Sequence, residues 1–395
     1  MSSGSRTPQT KSRWKTWGAP TLALLGAVAF VSFIAPPLLP YARTHDFISL
    51  YTGGVLAKTN PSHLYDVQLQ DKIQLELAPE RPVLAPFIRP AYSALFYVPL
   101  TWMPFETAFV VWIALGTLIA IAIQAWAARR FGSEALVFCA FFLPLIYGIV
   151  NGQDTAFVAG LMVLTYSAAK RGAYVLCGVL LALLLCKFHL ILLVPVVLLW
   201  RREWRILAGF CPTAIALVGI SATIASPRSY IAVLTNPALE ALNPSPQMMV
   251  NTLAIAVNFG LDFAAVKALL ALGVLAAVLL IPRNAPLDRW FWTAVCGSLL
   301  LSPHTFEYDV ALLLIPIMRT LTDSQCATSL RFVAATAAIP LPYFMTLLPM
   351  PLSAGPALVI TLLFLTIAWP QWFDRRAAAT EATTQPAGSP AESWQ

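Results

Sequence analysis

The stretch that decides the fold is residues 104–130, PFETAFVVWIALGTLIAIAIQAWAARR, in which Glu106 is the one charge before the closing pair Arg129 and Arg130. An α-helix of about 20 such residues spans the hydrocarbon core of a bilayer. Arginines directly after an apolar run are typical of the cytoplasmic side of a membrane-spanning helix. The stretch therefore predicts a membrane protein.

The composition of the whole chain agrees with this stretch. Of its 395 residues, 58% are hydrophobic and 11% are charged, and the mean hydropathy is +0.73. Soluble domains carry about 25% charged residues. The net charge of +7 does not indicate a nucleic-acid partner, because the Lys and Arg residues are scattered at the ends of apolar runs rather than gathered on one face. Catalysis in water alone and binding of nucleic acid are both excluded.

Twelve apolar segments are candidate membrane helices, although several are too short to cross a bilayer alone. They lie near residues 20–40, 104–128, 134–150, 153–169, 173–187, 189–201, 205–225, 263–281, 289–301, 309–321, 330–349 and 354–371. We therefore expect an all-α polytopic bundle of about 10–12 transmembrane helices. Two pairs of short segments predict broken helices: one pair meets at Lys187-Phe188-His189, and the other flanks Ser302–Tyr308.

The distribution of positive charge predicts the orientation of the bundle. With the N-terminus in the cytoplasm, most of the 25 Lys and Arg residues fall on the cytoplasmic side. We expect a basic segment at 1–19 and a disordered tail at 372–395, both cytoplasmic, with one transmembrane domain over 20–371 in the cell (inner) membrane. No small-residue cleavage site precedes Tyr41, so the first apolar segment is expected to be an uncleaved helix.

This orientation places the chemically versatile residues on the extracytoplasmic side. All four histidines fall there: His45, His63, His189 and His304. Two extracytoplasmic loops, 41–103 and 226–262, are long enough to fold. Apolar spacing after Asp46 and after Asp66 predicts helices in the first loop, and the prolines of the second predict an irregular path. The six cysteines include no C-x-x-C pair and indicate neither a disulfide framework nor a zinc site.

Asp46 is the candidate catalytic residue. A carboxylate beside His45, just outside the first span, could remove a proton from a sugar hydroxyl at the membrane surface. From spacing alone, an Asp before a helix is more often its N-cap, and the two roles are compatible. Gln153 and Asp154 follow an Asn-Gly turn, and they are either turn residues or hydrogen-bond partners of a hydroxylated or phosphorylated ligand.

Ionisable residues also occur inside the apolar segments. Lys187 and His189 lie in the middle of one, where charge is costly and function is the default interpretation. The Lys187 ammonium suits an anion such as phosphate, although lysine can also snorkel to the interface. The densest polar cluster within the spans is Ser302-Pro303-His304-Thr305-Phe306-Glu307-Tyr308-Asp309. If it is helical, His304 and Tyr308 share a face, and a polar contact between helices is the alternative. The sequence predicts no cofactor, and it leaves a divalent metal open.

Taken in order, these clusters resemble glycosyltransferase family 87 of the GT-C superfamily. The resemblance runs roughly from Tyr41 to Pro316. It rests on His45-Asp46-Phe47, Tyr51, Leu64-Tyr65-Asp66, Gly152-Gln153, Lys187, Ser302-Pro303-His304 and Tyr308-Asp309. It implies a GT-C bundle with an extracytoplasmic active site. The chain departs from the family pattern where Phe188 replaces a frequent Pro, and where Arg89-Pro90-Ala91-Tyr92 replaces aromatic-Pro-Pro. Arg89 is therefore either an extra phosphate contact or a snorkelling residue, and snorkelling is favoured.

The resemblance implies inverting transfer of a hexose, mannose above all, from a polyprenyl-phosphate sugar to an extracytoplasmic glycan or glycolipid. Asp46 would be the general base. Lys187 and His304 would contact the donor phosphate, and Arg89, which stands outside the family pattern, is the further candidate for that contact. The substrate contacts would be His45, Tyr51, Gln153, Asp154, His189, Tyr308 and Asp309. The alternatives are a transporter or flippase of a lipid-linked or anionic substrate, since broken helices with an intramembrane lysine also suit transport, and a non-catalytic scaffold for envelope assembly.

Overall fold

The computed structural model describes residues 43–240, 245–323 and 326–369, together with Thr21, Leu25 and Leu39. All regular secondary structure in these ranges is helical. The expected span at 20–40 lies almost wholly outside the described residues. The expected N-terminal segment 1–19 and the tail 372–395 lie outside them entirely.

The longer α-helices of the described ranges follow one another from the first loop to the last apolar segment. They are α1 (Ile48–Thr59), α2 (Val67–Leu77), α3 (Phe105–Phe131), α4 (Ala135–Ala140), α5 (Leu143–Val150), α6 (Thr155–Lys170), α7 (Tyr174–Leu183), α8 (Leu193–Trp200), α9 (Trp204–Ile224), α10 (Pro227–Leu234), α11 (Thr252–Asn258), α12 (Ala264–Leu279), α13 (Leu287–Leu301), α14 (Leu314–Thr322), α15 (Thr328–Ala338) and α16 (Gly355–Ala368).

Short helical turns connect these helices. A π-helical turn covers Arg43–Phe47, and single short α-helical turns cover Ala91–Ala94, Pro237–Glu240 and Leu341–Phe344. The 3₁₀ turns are Pro61–His63, Val98–Trp102, Leu184–Ile191, Pro246–Met248, Glu307–Leu313, Met345–Leu347 and Leu352–Ala354.

Several helices of the described ranges are apolar enough to lie in a membrane. Three could cross one by length and composition: α3, Tyr174–Ile191 and α9. A fourth candidate joins α15 to Leu341–Leu347 across a bend of 52°. Other apolar helices have only 10–17 residues, as expected for segments too short to cross alone. The all-helical, polytopic fold class is confirmed.

The two predicted breaks are also confirmed. Lys187 has φ −124° and ψ 59°, which interrupts the helical path between α7 and α8. Helix α13 ends at Leu301, and helical structure resumes only at Glu307. Both breaks expose backbone that a membrane could not satisfy, and such backbone is tolerated where it lines a cavity inside the protein.

Close packing between α7 and α9 explains two glycines in apolar helices. A Cβ atom at Gly178 would lie 2.0 Å from the carbonyl oxygen of Ile206, and one at Gly209 would lie 2.0 Å from that of Val175. The two backbones therefore meet at a distance that only glycine allows. Small residues at helix crossings are a general means of packing helices in membranes.

The second long loop is more regular than its prolines suggested. Ser226 caps α10 by accepting a hydrogen bond from Arg228 N, and Asn251 caps α11 by accepting one from Ala254 N. Pro227 lies at the first position of α10, where its missing N–H would have no helical partner in any case. The expectation of an irregular loop was wrong for the described part of the loop, because Pro227, Pro237 and Pro246 each begin a helical turn instead of preventing one.

Candidate active site

A cavity of about 1350 Å³ opens where the two helix breaks meet the first loop. Its wall brings together most of the candidate residues: His45, Asp46, Arg89, Gln153, Lys187, His189, His304, Tyr308 and Asp309. The remainder of the wall is largely apolar, with side chains such as Leu143, Ile146, Phe188 and Leu234. The cavity therefore combines a charged region with hydrophobic walls, as an amphiphilic ligand would require.

Asp46 lies in the π-helical turn directly before α1 but does not cap that helix. The N-cap of α1 is Phe47, which makes no side-chain capping bond, whereas Asp66 does cap α2 through Gln68 N and Leu69 N. Asp46 instead forms a side-chain hydrogen bond with Gln153. Burial raises the pKa of Asp46 to about 6, against the opposing effects of the Gln153 hydrogen bond and the nearby Lys187 charge. The carboxylate is thus available to the cavity rather than to the helix end.

The turn that carries Gln153 is held by its backbone. Gly152 has φ +70°, a left-handed conformation that favours glycine. The carbonyl oxygen of Gly152 accepts a hydrogen bond of 2.9 Å from Trp112 Nε1, and Gln153 N donates to Gly148 O at 2.9 Å. The turn therefore presents Gln153 and Asp154 from a fixed position at the start of α6.

Asp154 lies behind the cavity wall as a buried ion-pair partner. Its carboxylate pairs with both terminal nitrogens of Arg89, one of them at 3.1 Å, and with Lys187 Nζ at 3.1 Å. Tyr97 donates its hydroxyl to the same carboxylate at 3.1 Å. Arg89 consequently does not snorkel to an interface. The expectation of snorkelling was wrong because the buried carboxylate that binds Arg89 lies 65 residues away in the sequence.

Lys187 links the two helix breaks. Its Nζ lies 3.1 Å from Asp154 and 3.2 Å from Asp309, and it stands 5.2 Å from the centroid of the Tyr308 ring. Asp309 also accepts a hydrogen bond from Phe306 N at 3.1 Å, so the same carboxylate caps the turn that begins at Glu307. The non-helical backbone at Lys187 thus directs its ammonium toward both carboxylates.

The segment between α13 and Glu307–Leu313 differs from the helix considered for it. Phe306 is extended, so His304 and Tyr308 are not one helical turn apart, although both line the cavity. Ser302 fixes the turn: its Oγ donates to His304 O at 3.0 Å and accepts from His304 N at 3.2 Å. The His304 ring lies edge-on to that of His189, with centroids 6.3 Å apart.

The family model described as glycosyltransferase family 87 matches residues 87–303, which is more than half of the chain. The chain belongs to glycosyltransferase family 87. No curated protein and no solved structure matches it.

The match covers part of the site of this family 87 glycosyltransferase. Arg89, Gln153, Lys187 and His189 fall within the matched residues, whereas Asp46 precedes them. His304, Tyr308 and Asp309 follow them. The cavity therefore joins residues inside the matched region to residues on either side of it.

Tyr51 and His45, the two candidates of the first loop that flank Asp46, differ in their position relative to the cavity. Tyr51 lies away from the cavity wall, where its hydroxyl donates to Met103 O at 2.9 Å and its ring packs against Phe47 and Phe105. His45 does line the cavity, and its Nδ1 lies 3.3 Å from Thr44 Oγ1. The position of Tyr51 indicates a role in supporting the turn that carries Asp46.

Sequence reasoning did not select Tyr97 or Glu307 as site residues. Tyr97 reaches Asp154 from the first loop, and no motif marks it because its partner is distant in the chain. Glu307 is buried on the cavity wall and forms a side-chain hydrogen bond with Thr346. The density of polar residues around Ser302–Asp309 was a signal for Glu307. Among the described residues, no group of three His, Cys, Asp or Glu side chains could hold a metal ion.

Proposed function

We propose that this glycosyltransferase moves a hexose, with mannose as the first candidate, from a polyprenyl-phosphate donor to a hydroxyl of an extracytoplasmic glycan or glycolipid, with inversion. The observation that carries the proposal is the Asp46 carboxylate. It lines a large cavity beside two cations and has Gln153 rather than a helix end as its partner. A general base must be able to reach the proton that it removes, and a carboxylate in an open cavity meets this requirement.

In the proposed reaction, the acceptor oxygen attacks the anomeric carbon while Asp46 takes the proton of that hydroxyl. The bond from the anomeric carbon to the phosphate oxygen breaks, and its electron pair leaves with the polyprenyl phosphate. One displacement inverts the anomeric configuration, and no covalent sugar–enzyme intermediate forms. A pKa of about 6 suits this role, because Asp46 is then largely ionised at neutral pH and is a stronger base than an ordinary aspartate.

Lys187, Arg89 and His304 are proposed to offset the charge of the departing phosphate. A lysine has three N–H donors, and those of Lys187 have Asp154, Asp309 and Gln153 within 3.3 Å. A direct contact with phosphate therefore requires one of these partners to be exchanged. The charge of Lys187 acts on the phosphate in either case, because the surroundings are largely desolvated.

The apolar walls support a lipid-linked donor. Leu143, Ile146 and Leu192 line the same cavity as the charged residues, and Phe188 lies directly beside Lys187. A phospho-sugar bound near the cations would leave its hydrocarbon chain against these side chains. With the topology expected from the charge distribution, the cavity would open toward the outer leaflet of the cell membrane, and both termini would be cytoplasmic.

The test is sugar transfer by the full chain in nanodiscs. Radiolabelled polyprenyl-phospho-mannose is offered with an extract of envelope lipids and glycans from the source cells, and Asp46→Asn is compared with wild type. We expect Asp46→Asn to lose transfer by about 10²-fold or more, as for the loss of a general base. Asp66→Asn is the matched control, because asparagine still caps α2 and the residue lies outside the cavity.

Three results would contradict the proposal. Retained transfer by Asp46→Asn would remove Asp46 as the base. Movement of label across sealed vesicles without product would favour a transporter. A product that keeps the anomeric configuration of the donor, determined by NMR, would exclude a single displacement.

A further inference from the structure

All hydrogen-bonding positions of the Gln153 side chain are used within the protein. Its Oε1 accepts from Arg89 Nη2 at 3.1 Å and from Lys187 Nζ at 3.3 Å. Its Nε2 donates to Tyr308 Oη at 3.3 Å, and the side chain also hydrogen-bonds to Asp46. An amide has two acceptor sites on oxygen and two N–H donors, so a direct contact of Gln153 with a substrate would require one of these partners to be exchanged.

The neighbours of Gln153 determine which way its amide faces. Arg89 and Lys187 are donors only, so the amide oxygen must be directed at them. The amide nitrogen must then face the other side, where the Asp46 carboxylate can only accept. A reversed amide would put N–H groups against two cations and an oxygen against a carboxylate. The ion pairs of Asp154 with Arg89 and Lys187 hold the two cations in place and so fix this orientation indirectly.

The backbone of Gln153 is fixed as well. The turn before it is held by Trp112 Nε1 on Gly152 O and by Gln153 N on Gly148 O, each at 2.9 Å. The side chain therefore extends from a rigid turn to Asp46, which lies on a different element with no regular helical cap. Fixed groups that support a reacting side chain maintain the geometry needed for catalysis.

We infer that Gln153 is a positioning residue for the transfer reaction: Arg89 and Lys187 orient its amide, and its NH₂ group holds the Asp46 carboxylate toward the acceptor hydroxyl. This inference rests on the proposed function. It replaces the direct substrate contact expected for Gln153 from the sequence. Arg89 and Lys187 then have a second role, because they orient the amide that positions the Asp46 carboxylate.

Gln153→Glu and Gln153→Met separate this role from the alternatives. Gln153→Glu keeps both acceptor bonds to Arg89 and Lys187 but places a carboxylate against Asp46. Gln153→Met keeps the length and volume of the side chain and removes every hydrogen bond. The matched control is Gln68→Glu, which adds the same charge at an exposed position of α2. For each variant, kcat, donor KM and the pH dependence of kcat are measured in nanodiscs, with thermal unfolding as the test of folding.

We expect Gln153→Glu to lower kcat at pH 7 by about 10²-fold, the scale of a misplaced catalytic group, with KM within threefold of wild type. Its acid limb should move to higher pH, because the added charge disfavours ionised Asp46, so higher pH should partly restore transfer. Gln153→Met should lose less kcat, and its limb should move less, because it adds no charge. Gln68→Glu should retain the wild-type rate and limb.

Particular results would overturn the inference. A Gln153→Glu variant with wild-type kcat and acid limb would mean that Gln153 only accepts from the two cations. A rise in KM above tenfold with an unmoved limb would indicate a direct substrate contact. If Gln153→Glu does not fold, the acid limb of the pH profile of Gln153→Met is the deciding measurement. An acid limb at the wild-type pH would overturn the inference. Retained transfer by Asp46→Asn would instead refute the base in the proposed function, so the two failures are distinguishable.

Discussion

Two ion-pair clusters within the described part of the chain, the cavity cluster and the end cluster, connect helices and differ in burial. The cavity cluster consists of Arg89, Asp154, Lys187 and Asp309, whose side chains are 3–14% exposed. The end cluster lies at the ends of α6 and α14 and at the start of α13. It consists of Lys170, Asp288 and Arg319, whose side chains are 17–46% exposed.

The two clusters share a motif, in which two cations meet at one carboxylate. Asp288 pairs with Lys170 and with Arg319, the latter at 2.6 Å, as Asp154 pairs with Arg89 and Lys187. Exposed ion pairs contribute roughly 0–1 kcal/mol, because water and salt screen them. Removing one partner of a buried pair costs about 3–5 kcal/mol, because the other charge stays buried. The two clusters contain the same types of residue, so burial is the property that makes the charges of the cavity cluster interact more strongly than those of the end cluster.

The strongest test of this difference removes the lysine from each cluster. Lys187→Met leaves Asp309 without a salt-bridge partner among the described residues, and Asp154 with Arg89 alone. We expect it to lower the free energy of unfolding by about 3–5 kcal/mol and to lower transfer by at least about 10²-fold. Lys170→Met should cost less than about 1 kcal/mol, since Arg319 still pairs with Asp288. Unfolding in detergent and transfer assays measure both, and equal losses would remove the distinction.

The second test neutralises the shared carboxylate of each cluster. Asp154→Asn leaves Arg89 buried without a carboxylate partner but keeps a carbonyl acceptor, so we expect a loss of about 3 kcal/mol, the lower end of the cost of breaking a buried ion pair. Transfer should fall with it, because Arg89 and Lys187 would lose their shared anchor. Asp288→Asn should change the free energy of unfolding by less than about 1 kcal/mol. A larger loss for Asp288→Asn, measured by the same unfolding assay, would mean that the end cluster contributes more to the free energy of unfolding than the cavity cluster.

The contrast between the clusters also shows what sequence can predict. Apolar runs and flanking charges were enough to predict the helices. A lysine inside an apolar stretch was enough to predict the break at Lys187. These are local signals, since each is contained in one segment of chain. Most of the candidate site residues selected from the sequence also line one cavity.

The pairings themselves could not be predicted from the sequence. Arg89 is bound by a carboxylate 65 residues away, and Lys187 by one 122 residues away, so no spacing rule connects them. Asp46 resembles an N-cap in sequence, yet Phe47 occupies that position because a π-helical turn precedes α1. Tertiary contacts decide these roles, and residue spacing in a single sequence does not reveal those contacts.

The third test uses pH, because Asp46 adds a further carboxylate to the surroundings of the cavity cluster. The proposed reaction requires ionised Asp46, and the pKa of Asp46 is raised to about 6 by burial. We therefore expect kcat/KM, whose pH dependence reports ionisation of the free enzyme, to fall on the acid side of about pH 6 by about tenfold per pH unit. Transfer measured from pH 4.5 to 8 checks this expectation. An acid limb near pH 4 would mean that the base is an unperturbed carboxylate.

The same pKa shift predicts the opposite sign for stability. An unfolded Asp has a pKa of about 3.9, so the folded state of this protein binds the Asp46 proton more tightly. The stabilising contribution is fully present below about pH 4 and is lost as the pH rises through about 6. Asp46→Asn should thus unfold at higher temperature than wild type at pH 7.5, and the difference should shrink at pH 4.5. A variant less stable than wild type at both pH values would contradict this.

The smallest expected effect concerns Tyr97, a neutral residue that donates a hydrogen bond to the cavity cluster. Tyr97→Phe removes the hydroxyl that donates to Asp154 at 3.1 Å but keeps the ring that packs on Trp112. Since Arg89 and Lys187 still bind the carboxylate, we expect a loss of about 1–2 kcal/mol in the free energy of unfolding and a change in kcat within threefold.

Tyr166→Phe gives the matched change at the end cluster. The Tyr166 ring lies 5.5 Å from Lys170 Nζ, and phenylalanine keeps this cation–π contact, so the change should be about 0.5 kcal/mol or less. Unfolding of both variants in detergent measures the difference. If Tyr97→Phe lost as much stability as Asp154→Asn, the cavity cluster would depend on a neutral hydroxyl as strongly as on its cations. Burial of charge would then be an insufficient account of how the two clusters differ.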